Sequence, residues 1–324
     1  MAHSPIIVLR SLKSWDMVSA SSLAAFAKQK GSNDDTFLSL AVKDIKRAAD
    51  FFKSVFEETN GYDGFVSIEV SPHLAHNTEG TIKQARELWN AINRKNVMIK
   101  IPGTAEGLPA IRKCISEGIN INITLLFGLP RYKQVIDAYI SGLEDRVKAN
   151  QPIDQIASVA SFFLSRIDVL IDPLLEQKGL ANLKGEVAIA SAKKAYEMYK
   201  VVFNSERFKT LETKGAKRQR VLWASTSSKD PSFSDVKYVE ALIGAETINT
   251  IPIETLKAFN DHGRAESHLE DNLDKATRLL TQLKEKGIDI NTITQTLEHE
   301  GIEKFKMAYD KLLAAIEKQK QVAY

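Results

Sequence analysis

The stretch VMIKIPGTAEG, residues 97–107, sets a lysine in the middle of an apolar run. Val97, Ile99 and Ile101 alternate with Met98, Lys100 and Pro102. Side chains on a strand alternate between the two faces of a sheet. If the first set packs against helices, Lys100 points the other way, into the interior that the sheet encloses.

Similar short, β-branched runs recur along the chain. They are GFVSIEV (64–70), NVMIKIP (96–102), NINITLLF (120–127), IASVASFFLS (156–165), QRVLWASTS (219–227) and TINTIP (247–252). Two weaker candidates, IIVLR (6–10) and MVSAS (17–21), precede them. Helix-period segments follow most of these runs. In 130–149, Tyr132, Val135, Ile136, Tyr139, Ile140, Leu143 and Val147 repeat at i, i+3, i+4 and i+7. TEGTIKQARELWNAINRK (78–95) also reads as a helix opening on a polar residue.

Strand alternating with helix predicts an α/β fold with a parallel sheet, and eight strands in a chain of this length predict a (β/α)8 TIM-type barrel. No Ser/Gly-rich linker divides residues 1–324, so a single domain is expected. Segments 178–218 and 264–319 exceed what a crossover needs and read as added helices. The last of them, 301–319, carries Ile302, Phe305, Tyr309, Leu312 and Ile316 on one face, suited to packing on the barrel, with Tyr324 beyond it near the mouth.

Composition narrows the function. Lys plus Arg (44) nearly balances Asp plus Glu (41), so there is no electrostatic reason to invoke nucleic acid or an anionic membrane. Cys114 is the single cysteine, which excludes an intramolecular disulfide and a Cys-rich metal site. No run has the length of a membrane span, and the first residues lack the apolar core of a signal peptide. A cytoplasmic protein is expected.

The same parity argument sorts the neighbouring strands. Val66, Ile68 and Val70 take the helix-facing side and leave Ser67, Glu69 and Ser71 inward. Ile121, Ile123 and Leu125 do the same and leave Asn120, Asn122 and Thr124 inward. Three consecutive strands thus deliver a lysine, a carboxylate and an Asn/Thr pair to one interior. A buried Lys–Glu pair alone would be weak evidence of anything, since desolvation can cancel its Coulomb gain. A convergent polar set near the strand C-termini, where barrels carry their sites, favours chemistry. Burial disfavours a charged amine, and the free amine can attack a carbonyl to form a Schiff base, an electron sink that labilises a bond one carbon away. Glu69 and Thr124 would then move protons, directly or through water.

At these residues a family resemblance emerges. MIKIPGTAEGLPAIRKCISEGININITLLF (98–127) resembles the Schiff-base lysine segment of the transaldolase family with its following strand. DGFVSIEVSPHLAHNTEGTIKQARELW (63–89) resembles the preceding segment in its bacterial version, SVASFFLSRID and VLWASTSSKDPSFSD resemble two later motifs, and TINTIP the last strand. The resemblance runs from about Asp35 to the C-terminus. It implies class I aldolase chemistry on phosphorylated sugars in a (β/α)8 barrel, with no cofactor and no metal. By position it implies that Lys100 is the Schiff-base lysine, Glu69 the proton-handling glutamate, and Asn122 and Thr124 the polar pair that contacts the intermediate and a catalytic water. It further implies Ser161, Phe163 and Arg166 as substrate contacts, Arg166 holding the phosphate, with Ser225 and Lys229 in a second phosphate-binding segment. A solvated loop lysine is an equal alternative for Lys229.

Residues 1–35 depart from the family pattern. Family members begin with a strand bearing an aspartate that takes the substrate hydroxyl proton, followed by a helix and a second strand. Here Arg10 falls at the aspartate position, Ser22 near an expected asparagine, and only KSWDM lies between, with Asp16 the one nearby carboxylate. Ordinary transaldolase turnover is therefore not assured. The alternative is a catalytically impaired relative that binds a sugar phosphate or a partner protein. A shortened first unit would also uncover apolar strand faces, from which a homodimer is expected. His73 and His76 read as loop histidines, not metal ligands, and Cys114 as a buried thiol packed against the barrel.

Overall fold

The computed structural model describes residues 32–322. Six parallel strands form one sheet in chain order: β1 (Val66–Glu69), β2 (Val97–Pro102), β3 (Ile121–Leu126), β4 (Ser158–Phe163), β5 (Arg220–Ala224) and β6 (Thr247–Asn249). They are the six clear strands of the sequence. The runs at 6–10 and 17–21 lie outside the described residues, as do Arg10, Asp16, Ser22 and Tyr324. The fold is α/β, of the (β/α)8 TIM-barrel type.

Helices α1 (Asn33–Phe51) and α2 (Lys53–Glu58) precede β1. Then α3 (Thr78–Ile92), α4 (Gly107–Ser116) and α5 (Leu129–Lys148) make the crossovers to β2, β3 and β4. The longer connection to β5 holds α6 (Ser165–Gln177), α7 (Val187–Phe203) and α8 (Glu206–Glu212), and α9 (Lys237–Glu240) leads to β6. Beyond it lie α10 (Ile253–His262), α11 (Leu273–Glu285) and α12 (Ile290–Val322). Local chemistry sets the helix starts. Ser32 and Asp35 form a reciprocal capping box on α1, and the Asn77 side chain accepts from the Gly80 amide at 2.9 Å to open α3. Gly107 starts α4 because a Cβ there would lie 2.1 Å from the Pro102 carbonyl oxygen.

The helix-facing residues Val66, Ile68, Val97, Ile99, Ile101, Ile121 and Ile123 are all buried in one continuous core. Burial of each such side chain is worth about 1.5–3 kcal/mol, so this face dictates the register. Cys114 is fully buried in that layer, and burial pushes its thiol up to about 12. β1 and β6 are the edge strands among the described residues. Below them Arg220 of β5 reaches the segment before β1, donating to the Tyr62 carbonyl oxygen (2.5 Å) and the Asp63 carboxylate (3.1 Å). Both ends of that ion pair are buried.

Alternation fails at one position. The β3–β4 register shifts between Ile123 and Leu126, and Leu125 takes φ +55°, so the residue expected on the outer, helix-covered face instead turns toward Gly301 of α12. Helix α12 begins at Ile290, well before the expected 301, and crosses the strand C-termini. His73, after β1, pairs with Asp310 at 2.7 Å, and Arg131, after β3, pairs with Glu298 at 3.2 Å. Tyr309 donates to Asp34 of α1 at 2.5 Å. Ile302, Leu312 and Ile316 are buried on the expected face.

Candidate active site

Parity and register bring the strand residues together. Glu69 stands opposite Lys100, and Lys100 opposite Asn122, on three adjacent strands. Lys100 Nζ lies 3.3 Å from Glu69 Oε2, with the two side chains 13% and 21% exposed, so the pair is mostly buried yet keeps some contact with solvent. The Asn122 amide is held at both ends. Its nitrogen donates to Ser67 Oγ at 3.1 Å, and its oxygen accepts from Ser161 Oγ at 2.7 Å. These two bonds hold the plane and position of the amide between β1 and β4. Thr124 sits two residues further along β3, fully buried. Its hydroxyl oxygen and Glu69 Oε1 are buried atoms with no hydrogen-bond partner among the described residues. Leaving such atoms unmatched is costly, so both are suited to meet a small polar group in the site.

A second cluster lies at the ends of β4 and β5. Phe163 is buried against Phe127, and the Arg166 guanidinium sits 6.0 Å from the Phe163 ring centre. Arg166 has no carboxylate partner among the described residues: nearby Glu300 pairs with Lys304 instead. Lys229 donates to Ser227 Oγ at 2.6 Å. The side chain as a whole is solvent-facing, but desolvation of its amine end, and then the neighbouring Arg166 charge, lower its pKa. Two cations that disfavour each other, neither paired to a carboxylate among the described residues, suit a phosphate. Ser225 takes φ +57°, unusual for a non-glycine, and its hydroxyl meets Ser165 Oγ at 2.9 Å.

The family model described as Transaldolase/Fructose-6-phosphate aldolase matches residues 4–316. The chain belongs to this family. A transaldolase of Trichodesmium erythraeum is 47% identical over 311 residues, covering 92% of this chain and 82% of its own. One from Saccharopolyspora erythraea is 44% identical over 295 residues (90% and 80%), and one from Neisseria gonorrhoeae 42% over 301 residues (93% and 85%). The family match starts at residue 4, so it includes most of the segment that the sequence motifs left outside the resemblance.

Within this family member, the structure unites Glu69, Lys100, Asn122, Thr124 and Ser161 in one interior, and Phe163, Arg166, Ser225 and Lys229 at its rim. His73 and His76 are engaged elsewhere, His73 with Asp310 and His76 with Glu106 at 3.1 Å. Among the described residues no group of three or more His, Cys, Asp or Glu side chains is placed to hold a metal ion. No helix among them is long and apolar enough to cross a membrane. Ser67 was legible as inward-facing but carried no assigned role; its bond to Asn122 supplies one. Asp168 and Tyr238, joined by a 2.7 Å hydrogen bond, were not singled out at all. They lie 70 residues apart, and nothing local in the sequence pairs them.

Proposed function

We propose that this protein is a transaldolase-type enzyme in which Lys100 forms a Schiff base with the carbonyl of a ketose phosphate. The observation that supports this most is the Lys100–Glu69 pair with its two unmatched oxygens, Glu69 Oε1 and Thr124 Oγ1, in one interior. Lys100 in its free-amine form attacks the carbonyl carbon, and the oxygen takes a proton to give a carbinolamine. Loss of that oxygen as water, protonated through Glu69, leaves the iminium. Thr124 and Glu69 hold the water between them. Asn122, its amide fixed by Ser67 and Ser161, contacts the substrate hydroxyls. The iminium then accepts the electron pair of the breaking carbon–carbon bond as the aldehyde product leaves. Arg166 and Lys229 hold the phosphate.

The base for the substrate hydroxyl in that cleavage step is assigned to the N-terminal segment, with Asp16 the candidate, and Arg10 and Ser22 as further contributors. Relatives named transaldolase support the activity, and family sugar phosphates the substrate class. A cytoplasmic homodimer with no nucleic-acid partner is the accompanying expectation, resting on the balanced charge and the apolar N-terminal runs. Incubation with fructose 6-phosphate and borohydride, read by intact mass, tests the reading. One reduced adduct per chain is expected. Binding of the sugar phosphate without any adduct would replace the enzyme with the sugar-phosphate-binding alternative.

A further inference from the structure

The segment 225–236, which carries Lys229, has no helix or strand of its own. A cavity of about 350 Å³, bordered by Ser165, Asp168, Lys229, Phe233 and Tyr238, separates part of it from α6. Apolar packing alone therefore does not set its position. Its two ends are instead tied to the first turn of α6, on either side of Arg166. At the near end, the Ser165 amide donates to the Ser225 carbonyl oxygen at 3.1 Å, and the two hydroxyls meet at 2.9 Å. At the far end, Tyr238, the second residue of α9, donates its hydroxyl to Asp168 Oδ2 at 2.7 Å. The other carboxylate oxygen, Asp168 Oδ1, accepts from the Ala188 amide at 2.8 Å, near the start of α7. Asp168 and Tyr238 are each 1% exposed, and burial raises both pKa values.

A buried carboxylate is costly unless its oxygens are matched. Both oxygens of Asp168 are matched, one by the loop's anchor and one by a helix amide, and the latter needs no help from Tyr238. The carboxylate thus has a fixed place from which to hold the loop. We infer that Asp168 and Tyr238 are positioning residues for the phosphate subsite, clamping the Lys229 segment at a fixed distance from Arg166. This rests on the reading of Arg166 and Lys229 as phosphate ligands given above. Neither residue touches substrate. The clamp acts through the spacing of two cations, so its loss weakens the hold on a phosphate and leaves the Lys100 chemistry intact. Ser165 secures only the beginning of the loop, and Lys229 lies nearer its middle.

The test compares wild type with Tyr238→Phe, and Asp168→Asn as a second variant that keeps an oxygen for the Ala188 amide. Three quantities are measured: affinity for inorganic phosphate by calorimetry, and the half-saturating concentration and saturating rate of borohydride trapping with fructose 6-phosphate and with fructose. In Tyr238→Phe, weakening of phosphate and fructose 6-phosphate by about tenfold is expected, the equivalent of one hydrogen bond's effect on the spacing. The saturating rate and the fructose values are expected to stay as in wild type, and Asp168→Asn to weaken the same two ligands by less. Unchanged phosphate affinity in both variants would overturn the clamp, as would equal losses with fructose and fructose 6-phosphate. Failure of wild type to trap either sugar would overturn the Schiff-base reading alone, because phosphate affinity still reports on the clamp.

Discussion

The candidate site has two halves built by different means. The inner half, Ser67, Glu69, Lys100, Asn122 and Ser161, is borne on strands whose outer faces are locked in the core, and its members bond or pair with one another. The rim half, Arg166 and Lys229, sits on a helix start and a loop, and the Arg166 charge helps to lower the Lys229 pKa. Strand register places the groups proposed to react. Two short anchors and Ser225, held at φ +57°, place the proposed phosphate ligands. Chemistry and binding can therefore fail separately here, and substitutions in each half should show it.

The largest effect belongs to the inner half. Lys100→Ala should abolish turnover with phosphorylated and unphosphorylated ketoses alike, in a coupled assay of aldehyde product; residual turnover would erase the distinction. Glu69→Gln should lower kcat by about a hundredfold or more, the usual contribution of a positioned acid–base group, with little change in KM. Arg166→Ala should do the reverse. Loss of charge-assisted hydrogen bonds worth about 1.5–3 kcal/mol each should raise KM for a sugar phosphate by about a hundredfold and leave the unphosphorylated sugar unaffected. Ser67→Ala should lower kcat by about tenfold by freeing the Asn122 amide, with Ser67→Thr restoring part of it.

The smallest expected effect is on stability and concerns the clamp. Asp168 has its carboxyl raised to about 6, chiefly by burial, against an ordinary value of 3.8. The folded state therefore binds more protons than the unfolded chain between those values, and stability from this group falls as pH rises through that window. Urea unfolding of wild type against Asp168→Asn should show the difference moving in favour of wild type as pH drops from neutral to about 4. No change with pH would mean that the carboxylate is matched well enough to titrate normally.

What could be read from the sequence follows the same division. Alternation alone placed Glu69, Lys100 and Asn122 inward, because the β-branched residues between them leave one face for the core. It could not foresee that the β3–β4 register shifts between Ile123 and Leu126 and that Leu125 turns toward Gly301, since strict alternation has no place for a residue with positive φ. Arg166 and Lys229 came from motif resemblance, while Asp168 and Tyr238 escaped because their bond is a tertiary contact between ordinary-looking helix residues. The six clear strands were legible from their own composition; Arg10, Asp16 and Ser22 fall outside the described residues.

In the proposed reaction the carbonyl carbon bonds to one lysine among the many this chain carries. Peptide mapping after borohydride reduction with fructose 6-phosphate tests it most directly. The sugar adduct is expected on the peptide containing Lys100 and nowhere else. An adduct on Lys229 or any other lysine, or one that persists in Lys100→Ala, would contradict it.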